Sequence, residues 1–341
     1  MKAAILYGVK DLRLENVPDP KISAPDEVLI KVKNVGVCGS DCHYYELGRI
    51  GDFVVQSPLI LGHECAGEVI EVGRAVKNLK PGDRVAPEPG VPCRRCRFCK
   101  SGRYNLCPDV QFMATPPFNG AFCEYIVWPS DFVFKLPENV SYEEGATVEP
   151  LSVGVYSAIR GRVKAGDKIG VLGCGPIGLI TAQVCLALGA DKVFASDLDP
   201  IRLRYAEKCG AIAVPAAELT QVILDGTEGL GVDVAFEAAG SVPTTQKALE
   251  ITRRGGAIVL IGLPPQSPMP YDIVAAICKE VDIMGIFRYA NCYPPALSLL
   301  ASGKLDMKSL ITHRFTLEQA EEALVTSLER KGGAIKAMIA I

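Results

Sequence analysis

Lys168-Ile169-Gly170-Val171-Leu172, running into Gly173-Cys174-Gly175-Pro176-Ile177-Gly178 and then an apolar run to about Leu188, constrains the fold of this chain more than any other stretch. A G-x-G-x-x-G alone is a weak signal, but between a strand and a helix it is a strong one. The glycines permit a tight turn and let a pyrophosphate approach the backbone at the helix N-terminus. Asp197 ends the next strand, Lys192-Val193-Phe194-Ala195-Ser196, about 20 residues on, where a carboxylate accepts hydrogen bonds from the adenosine ribose and repels a 2′-phosphate. Asp199, before Pro200, fits the helix cap better. The expected cofactor is therefore NAD rather than NADP. Further strands over 232–236, 257–261 and 282–286 complete the strand, turn, helix alternation that marks a doubly wound parallel sheet.

The texture before residue 150 is different. Short strand-like segments such as Glu27-Val28-Leu29-Ile30-Lys31-Val32 and Asp83-Arg84-Val85-Ala86 are broken by Gly and Pro, which predicts a compact β-barrel with long loops. A chain of 341 residues is long enough for two domains with separate cores. The tail carries a helix over 317–328, behind a Thr316/Gln319 capping box, and a closing strand over 334–341. It is expected to return to the first domain. The expected class is α/β, with residues 1–150 and 286–341 in one domain and 151–285 in the other. A net charge of -3 favours neither nucleic acid nor anionic membrane. No signal-peptide core or membrane-length apolar run is present, so a cytoplasmic protein is expected, with its 13 cysteines as thiols and metal ligands.

Two cysteine-bearing regions carry metal chemistry. Cys93, Cys96, Cys99 and Cys107 have the spacing of a closed tetrahedral Cys₄ zinc site, which has no open position and is therefore structural. An iron–sulfur cluster is the rarer occupant. Arg94, Arg95, Arg97, Lys100 and Arg103 interleave with these cysteines and raise a non-enzyme alternative, a zinc knuckle gripping phosphates; a solvated surface offsetting four thiolates is the simpler reading. The second region joins Cys38, in a glycine-turned loop, to His63 and Glu64 between Gly62 and Gly67. Three protein ligands of mixed type leave a fourth place for water or substrate, as catalytic zinc requires. Taken alone, the Gly62–Gly67 loop also reads as a surface turn.

Cys38, the Gly62-His63-Glu64-x-x-Gly67 loop with Gly73, Gly82-Asp83-Arg84-Val85, the four-cysteine lobe and the glycine turn occur in the order, and over the length, of the zinc-dependent medium-chain dehydrogenases, which the chain resembles. Residues 44–51, 110–117, 148–154 and 285–291 are similar to the sorbitol (L-iditol 2-) dehydrogenase branch. Its animal members usually lack the full four-cysteine lobe, so this chain looks closer to microbial members with two zincs.

The resemblance implies a GroES-like barrel domain clasping a Rossmann domain, with the active site in the cleft between them. It implies a catalytic zinc on Cys38, His63 and Glu64 with a water that Glu149 hydrogen-bonds or displaces. It assigns Gly173, Gly175, Pro176, Ile177, Gly178, Asp197 and Arg202 to the cofactor, and Ser40, Tyr44, Phe112, Thr115, Glu149, Arg288 and Tyr289 to the polyol pocket. Ser40 and His43 are the expected proton path to solvent. The implied reaction is oxidation of a polyol (sorbitol, L-iditol or xylitol type) at C2 to the ketose by a homotetramer. Xylitol, galactitol, threonine and simple secondary-alcohol dehydrogenases on the same scaffold are the alternatives.

Overall fold

The strand Glu27–Gly36 organises the first half of the chain. In the computed structural model, which describes residues 1–264 and 268–341, it pairs antiparallel with Glu64–Val72 on one side. Its other side is shared by Tyr125–Pro129 along the first half and the C-terminal strand Lys336–Ala340 along the second. Val28, Ile30 and Val32 alternate into the core with the period of two that a half-buried strand demands. Outward from this ladder lie Arg84–Pro87 and Val133–Lys135 on one flank and Ile311–Thr316 on the other, making a seven-stranded sheet. A three-stranded sheet of Asp11–Asn16, Lys2–Gly8 and Leu59–Ile60 packs its apolar residues into the same core.

The second half forms a six-stranded, wholly parallel sheet. Its spatial order is Ile212–Pro215, Lys192–Asp197, Lys168–Leu172, Val232–Glu237, Thr252–Leu260 and Asp282–Gly285. Numbered along the chain this is 3-2-1-4-5-6, and the order reverses at Lys168–Leu172, the strand that feeds the glycine turn. The helix Pro176–Ala187 is buried on nearly every side, which explains why its sequence is apolar throughout rather than striped. The strand Ile212–Pro215 was not anticipated from the sequence; at four residues, mostly outside the core, it has too little alternation to stand out.

The chain divides into one unit of Met1–Glu149 with Met307–Ile341 and another of Pro150–Asp306. The return to the first unit therefore comes at Met307, not at residue 286. Gln183, on the buried helix, accepts from the Asp306 N–H at 2.7 Å and donates to the Asp306 carbonyl at 3.4 Å, which ties the segment after the last parallel strand to the second unit. In the tail, the Thr316/Gln319 capping box opens a 3₁₀ turn, Leu317–Gln319, which continues as the helix Ala320–Glu329.

Candidate metal centre and dinucleotide turn

Cys38 is the last extended residue before the helix Gly39–Leu47, and its backbone N–H donates to Asp41 Oδ2 at 3.0 Å. His63 follows Gly62, whose φ of +85° lies in the region glycine alone enters freely. The Gly62 N–H donates to Asp41 Oδ1 at 2.9 Å, and His63 Nδ1 lies 3.7 Å from that same oxygen. Asp41, fully buried, thus links the Cys38 loop to the His63 loop. Glu64 opens the strand Glu64–Val72 opposite Gly36. The result is a Cys38 sulfur, a His63 ring nitrogen and a Glu64 carboxylate oxygen all within 4.8 Å of one another.

The donor set suits zinc, since a thiolate, an imidazole and a carboxylate are the ligand types of catalytic sites that keep one position open. Glu64 Oε2 is buried and makes no hydrogen bond, and the charge against it is the Lys336 ammonium. Burial by itself lowers the His63 pKa, but the neighbouring Cys38 and Asp41 outweigh it and bring the ring to about 10, so the pocket already attracts positive charge. Phe112 packs beside the His63 ring with centroids 5.6 Å apart, and buried Glu149 is close enough to raise the His63 pKa further. Lys336, from the C-terminal strand, reaches the set from behind: its Nζ is 2.5 Å from both Glu64 oxygens, with hydrogen-bond geometry to Oε1.

Cys93, Cys96, Cys99 and Cys107 form a second set, again with all ligand atoms within 4.8 Å. The backbone N–H of Cys93 points at Cys107 Sγ at 3.3 Å and that of Cys96 at Cys93 Sγ at 3.4 Å, the kind of support that stabilises thiolates. Backbone N–H groups of Arg95 and Cys96 lower the Cys93 pKa to about 6. Arg94 makes a two-point ion pair with Asp131, at 2.7 and 2.9 Å, and lies over the Phe132 ring. Tyr104 donates to buried Glu88 at 2.7 Å. These contacts tie the lobe to its own unit and give exposed Arg94 an acidic partner within the chain, which disfavours the phosphate-gripping alternative.

In the second unit Gly173 has φ +101°, and a Cβ at Gly178 would collide with the Gly173 carbonyl, so the turn closes only with glycine at both. Gly175 is the N-cap and Pro176 the first residue of the helix that follows. Asp197 Oδ2 accepts from the Cys174 N–H at 2.7 Å, Oδ1 accepts from the Asp199 N–H at 2.9 Å, and Arg202 Nη1 is 3.6 Å away. Asp199 caps the helix Pro200–Lys208 through the Ile201 N–H, as its sequence position suggested.

Among the remaining expected residues, Tyr44 is buried, Ser40 and Thr115 are half-buried and His43 is exposed. Arg288 has φ +54° and lies over the Phe287 ring, and the ring of buried Tyr289 is 5.9 Å from that of Tyr293. Asp41 and Lys336 were missed from the sequence. Asp41 left one signal, an acid three residues into a helix that follows an extended residue. Lys336 left only its presence as a single charge in the apolar run 334–341.

Residues 24–138 match the alcohol dehydrogenase GroES-like domain family and residues 176–302 the zinc-binding dehydrogenase family. A sorbitol dehydrogenase of Bacillus subtilis is 48% identical, with 99% of this chain and 97% of that protein covered. A human sorbitol dehydrogenase is 47% identical, with 98% and 94% covered. Among solved structures, an Escherichia coli oxidoreductase of unknown specificity superposes with a TM-score of 0.94 at 42% identity, covering 100% of this chain and 99% of the other. The 2R,3R-butanediol dehydrogenase of Bacillus subtilis gives 0.92 at 35% identity with the same coverage.

Proposed function

The chain belongs to the zinc-dependent medium-chain dehydrogenases, in their sorbitol dehydrogenase branch, and from that premise we propose that it oxidises the C2 hydroxyl of a sorbitol-, L-iditol- or xylitol-type polyol to the ketose, with hydride transfer to NAD. The observation that carries this is the Cys38, His63, Glu64 set, three mixed ligands and so one short of a tetrahedral shell, on the same chain as a dinucleotide turn. Zinc bound there supplies Lewis acidity that lowers the pKa of the substrate hydroxyl.

The chain's own residues do the rest. Asp41 fixes the two ligand loops against each other, so that the donors are in place before substrate arrives. Phe112, beside the His63 ring, and buried Tyr44 are assigned to the polyol pocket, and Glu149 is the buried carboxylate close to His63. His43, being exposed, can exchange a proton passed along through Ser40 with bulk solvent. Thr115, Arg288 and Tyr289 are assigned to the remaining hydroxyls of the polyol. Asp197 supports NAD: its carboxylate is held by two backbone N–H groups and opposes a 2′-phosphate.

We further assign a structural zinc to the four-cysteine set, making two per chain. A cytoplasmic location is supported by 13 cysteines without a disulfide among them, and no described helix is long and apolar enough to cross a membrane. Association between copies of the chain is supported by exposed Ile273, Val274 and Ile277 on the helix Ile273–Lys279, near the open edge strand Asp282–Gly285, and a homotetramer is the assembly the resemblance implies.

The test is a panel of sorbitol, xylitol, galactitol, 2,3-butanediol and 2-butanol with NAD and NADP separately, following reduced nicotinamide. A six- or five-carbon polyol with NAD is expected to give the highest kcat/KM. The butanediol dehydrogenase among the similar structures makes a short vicinal diol the second reading, and 2,3-butanediol outrunning every polyol would establish it.

A further inference from the structure

The four-cysteine lobe is the loop of a hairpin whose stem holds Phe112. Gly90–Val91 and Gln111–Phe112 pair antiparallel, Gly90 opposite Phe112 and Val91 opposite Gln111, and Cys93 to Cys107 all lie between them. A ladder of two pairs does not hold itself in place in water. Glu88, just before the stem, anchors it. The Glu88 backbone N–H donates to the Phe132 carbonyl at 2.8 Å, and its carbonyl accepts from Trp128 Nε1 at 2.8 Å. Its side chain, in a residue 2% exposed, accepts from the Tyr104 hydroxyl at 2.7 Å. The Tyr104 ring meets the Phe132 ring edge-on, at 90° with centroids 5.7 Å apart. Tyr104 thus brings the lobe down onto the same residue that fixes the stem. The stem in turn sets two residues of the expected pocket. The Met113 N–H donates to the Pro89 carbonyl at 3.0 Å, and the Phe112 carbonyl accepts from the Thr115 N–H at 3.1 Å. A Cβ at Gly90 would stand 3.1 Å from the Phe112 ring, and that same ring packs beside His63. A shift of the stem is therefore a shift of Phe112 against His63.

Resting on the assignment of Phe112 and Thr115 to the substrate pocket, we propose that Tyr104 and Glu88 are positioning residues for the reaction: their hydrogen bond latches the cysteine lobe to the hairpin stem and so fixes Phe112 and Thr115 where the substrate alcohol meets them. Neither is a catalytic residue; both act through Phe112. An acceptor buried as deeply as the Glu88 carboxylate is costly to leave without a donor, so the bond favours one closed arrangement of lobe and stem over a loosened one. The lobe then has a role beyond its own stability, which is to set how tightly the substrate is held.

The test compares, in the intact holoenzyme, Tyr104→Phe, which deletes the hydroxyl and keeps the ring, with Glu88→Gln, which keeps an acceptor for Tyr104. The readouts are kcat and KM for the best substrate of the panel above, and the emission of Trp128, the single tryptophan of the chain, whose indole N–H is bonded to Glu88. Tyr104→Phe is expected to raise KM roughly fivefold to tenfold with kcat within about twofold, the pattern of lost binding rather than lost chemistry, and short of the roughly 100-fold that a misplacement of about 1 Å can cost. Its Trp128 emission should move to longer wavelength as the stem loosens, whereas Glu88→Gln should match the wild type in KM and in emission. An unchanged KM in Tyr104→Phe, even with a lower melting temperature, overturns the proposal, since a lower melting temperature is all that a purely structural bond would give. A raised KM with unshifted Trp128 emission overturns it too, because the stem would not have moved. So does a raised KM in Glu88→Gln, an outcome that stands even if Tyr104→Phe does not fold. A wild type that oxidises no polyol of the panel overturns the polyol reading instead, and the latch is then read on the alcohol that it does oxidise.

Discussion

Gly36 lies directly across the antiparallel ladder from Glu64, and a Cβ at Gly36 would collide with Glu64 Oε2. The Glu64 carboxylate can lie where it does, within reach of the other ligands, only because its neighbour strand has no side chain there. Gly36→Ala should therefore push Glu64 out of the ligand set while leaving the four-cysteine lobe untouched. The expected outcome is a loss of about 10- to 100-fold in affinity for the catalytic metal, with one zinc per chain retained after dialysis, read by elemental analysis. Full retention of two zincs would mean that Glu64 contributes little to metal binding.

The two metal sets should separate cleanly by mutation. Cys96→Ser breaks a closed Cys₄ shell in a lobe whose four-residue helix Arg97–Lys100 buries no residue, so the melting temperature should fall together with about one zinc. Cys38→Ser should lose the other zinc and the activity, with thermal unfolding little changed. Substantial turnover in Cys38→Ser would remove its assignment as a catalytic ligand.

Glu88 should make stability depend on pH. Burial raises its pKa from 4.5 to about 7, against the hydrogen bond from Tyr104 and with added repulsion from Glu149. Below pH 4.5 the folded and unfolded carboxyls are both protonated and nothing is lost. As pH rises toward about 7 the unfolded chain ionises first, so the folded state loses up to about 3 kcal/mol relative to it and then stays level. Glu88→Gln keeps an acceptor for Tyr104 and removes the ionisation. Its melting temperature should match the wild type near pH 4.5 and exceed it increasingly up to about pH 7; a difference that does not vary with pH would refute this.

Cofactor choice should respond to Asp197. Removing its charge in Asp197→Ala, together with Leu198→Arg at a position 89% exposed, should raise kcat/KM for NADP and lower it for NAD, since the repulsion is replaced by a phosphate partner. Arg202, 3.6 Å from Asp197, would be freed to help. A wild-type enzyme that already uses NADP as well as NAD would contradict the role given to Asp197.

What the sequence alone determined was whatever short-range spacing encodes. The glycine turn between strand and helix, the Cys93 to Cys107 ladder, the adjacent His63 and Glu64, and the Asp199-Pro200 helix start each lie within about one loop or turn, where backbone geometry forces the outcome. The strand Ile212–Pro215 escaped because an edge strand of four residues has little pattern to show, and the boundary escaped because Gln183 and Asp306, which tie the segment down, are 123 residues apart. Only the tertiary structure decided how Cys38 meets His63 through Asp41, why Gly36 must be bare, and that Lys336 stands behind Glu64. The last pair is separated by 272 residues, and no local rule pairs one lysine among many with one glutamate among many. Burial does: once the strand Lys336–Ala340 docks beside Glu27–Gly36, an ammonium with no water left to solvate it must find a carboxylate, and Glu64 is the one it meets.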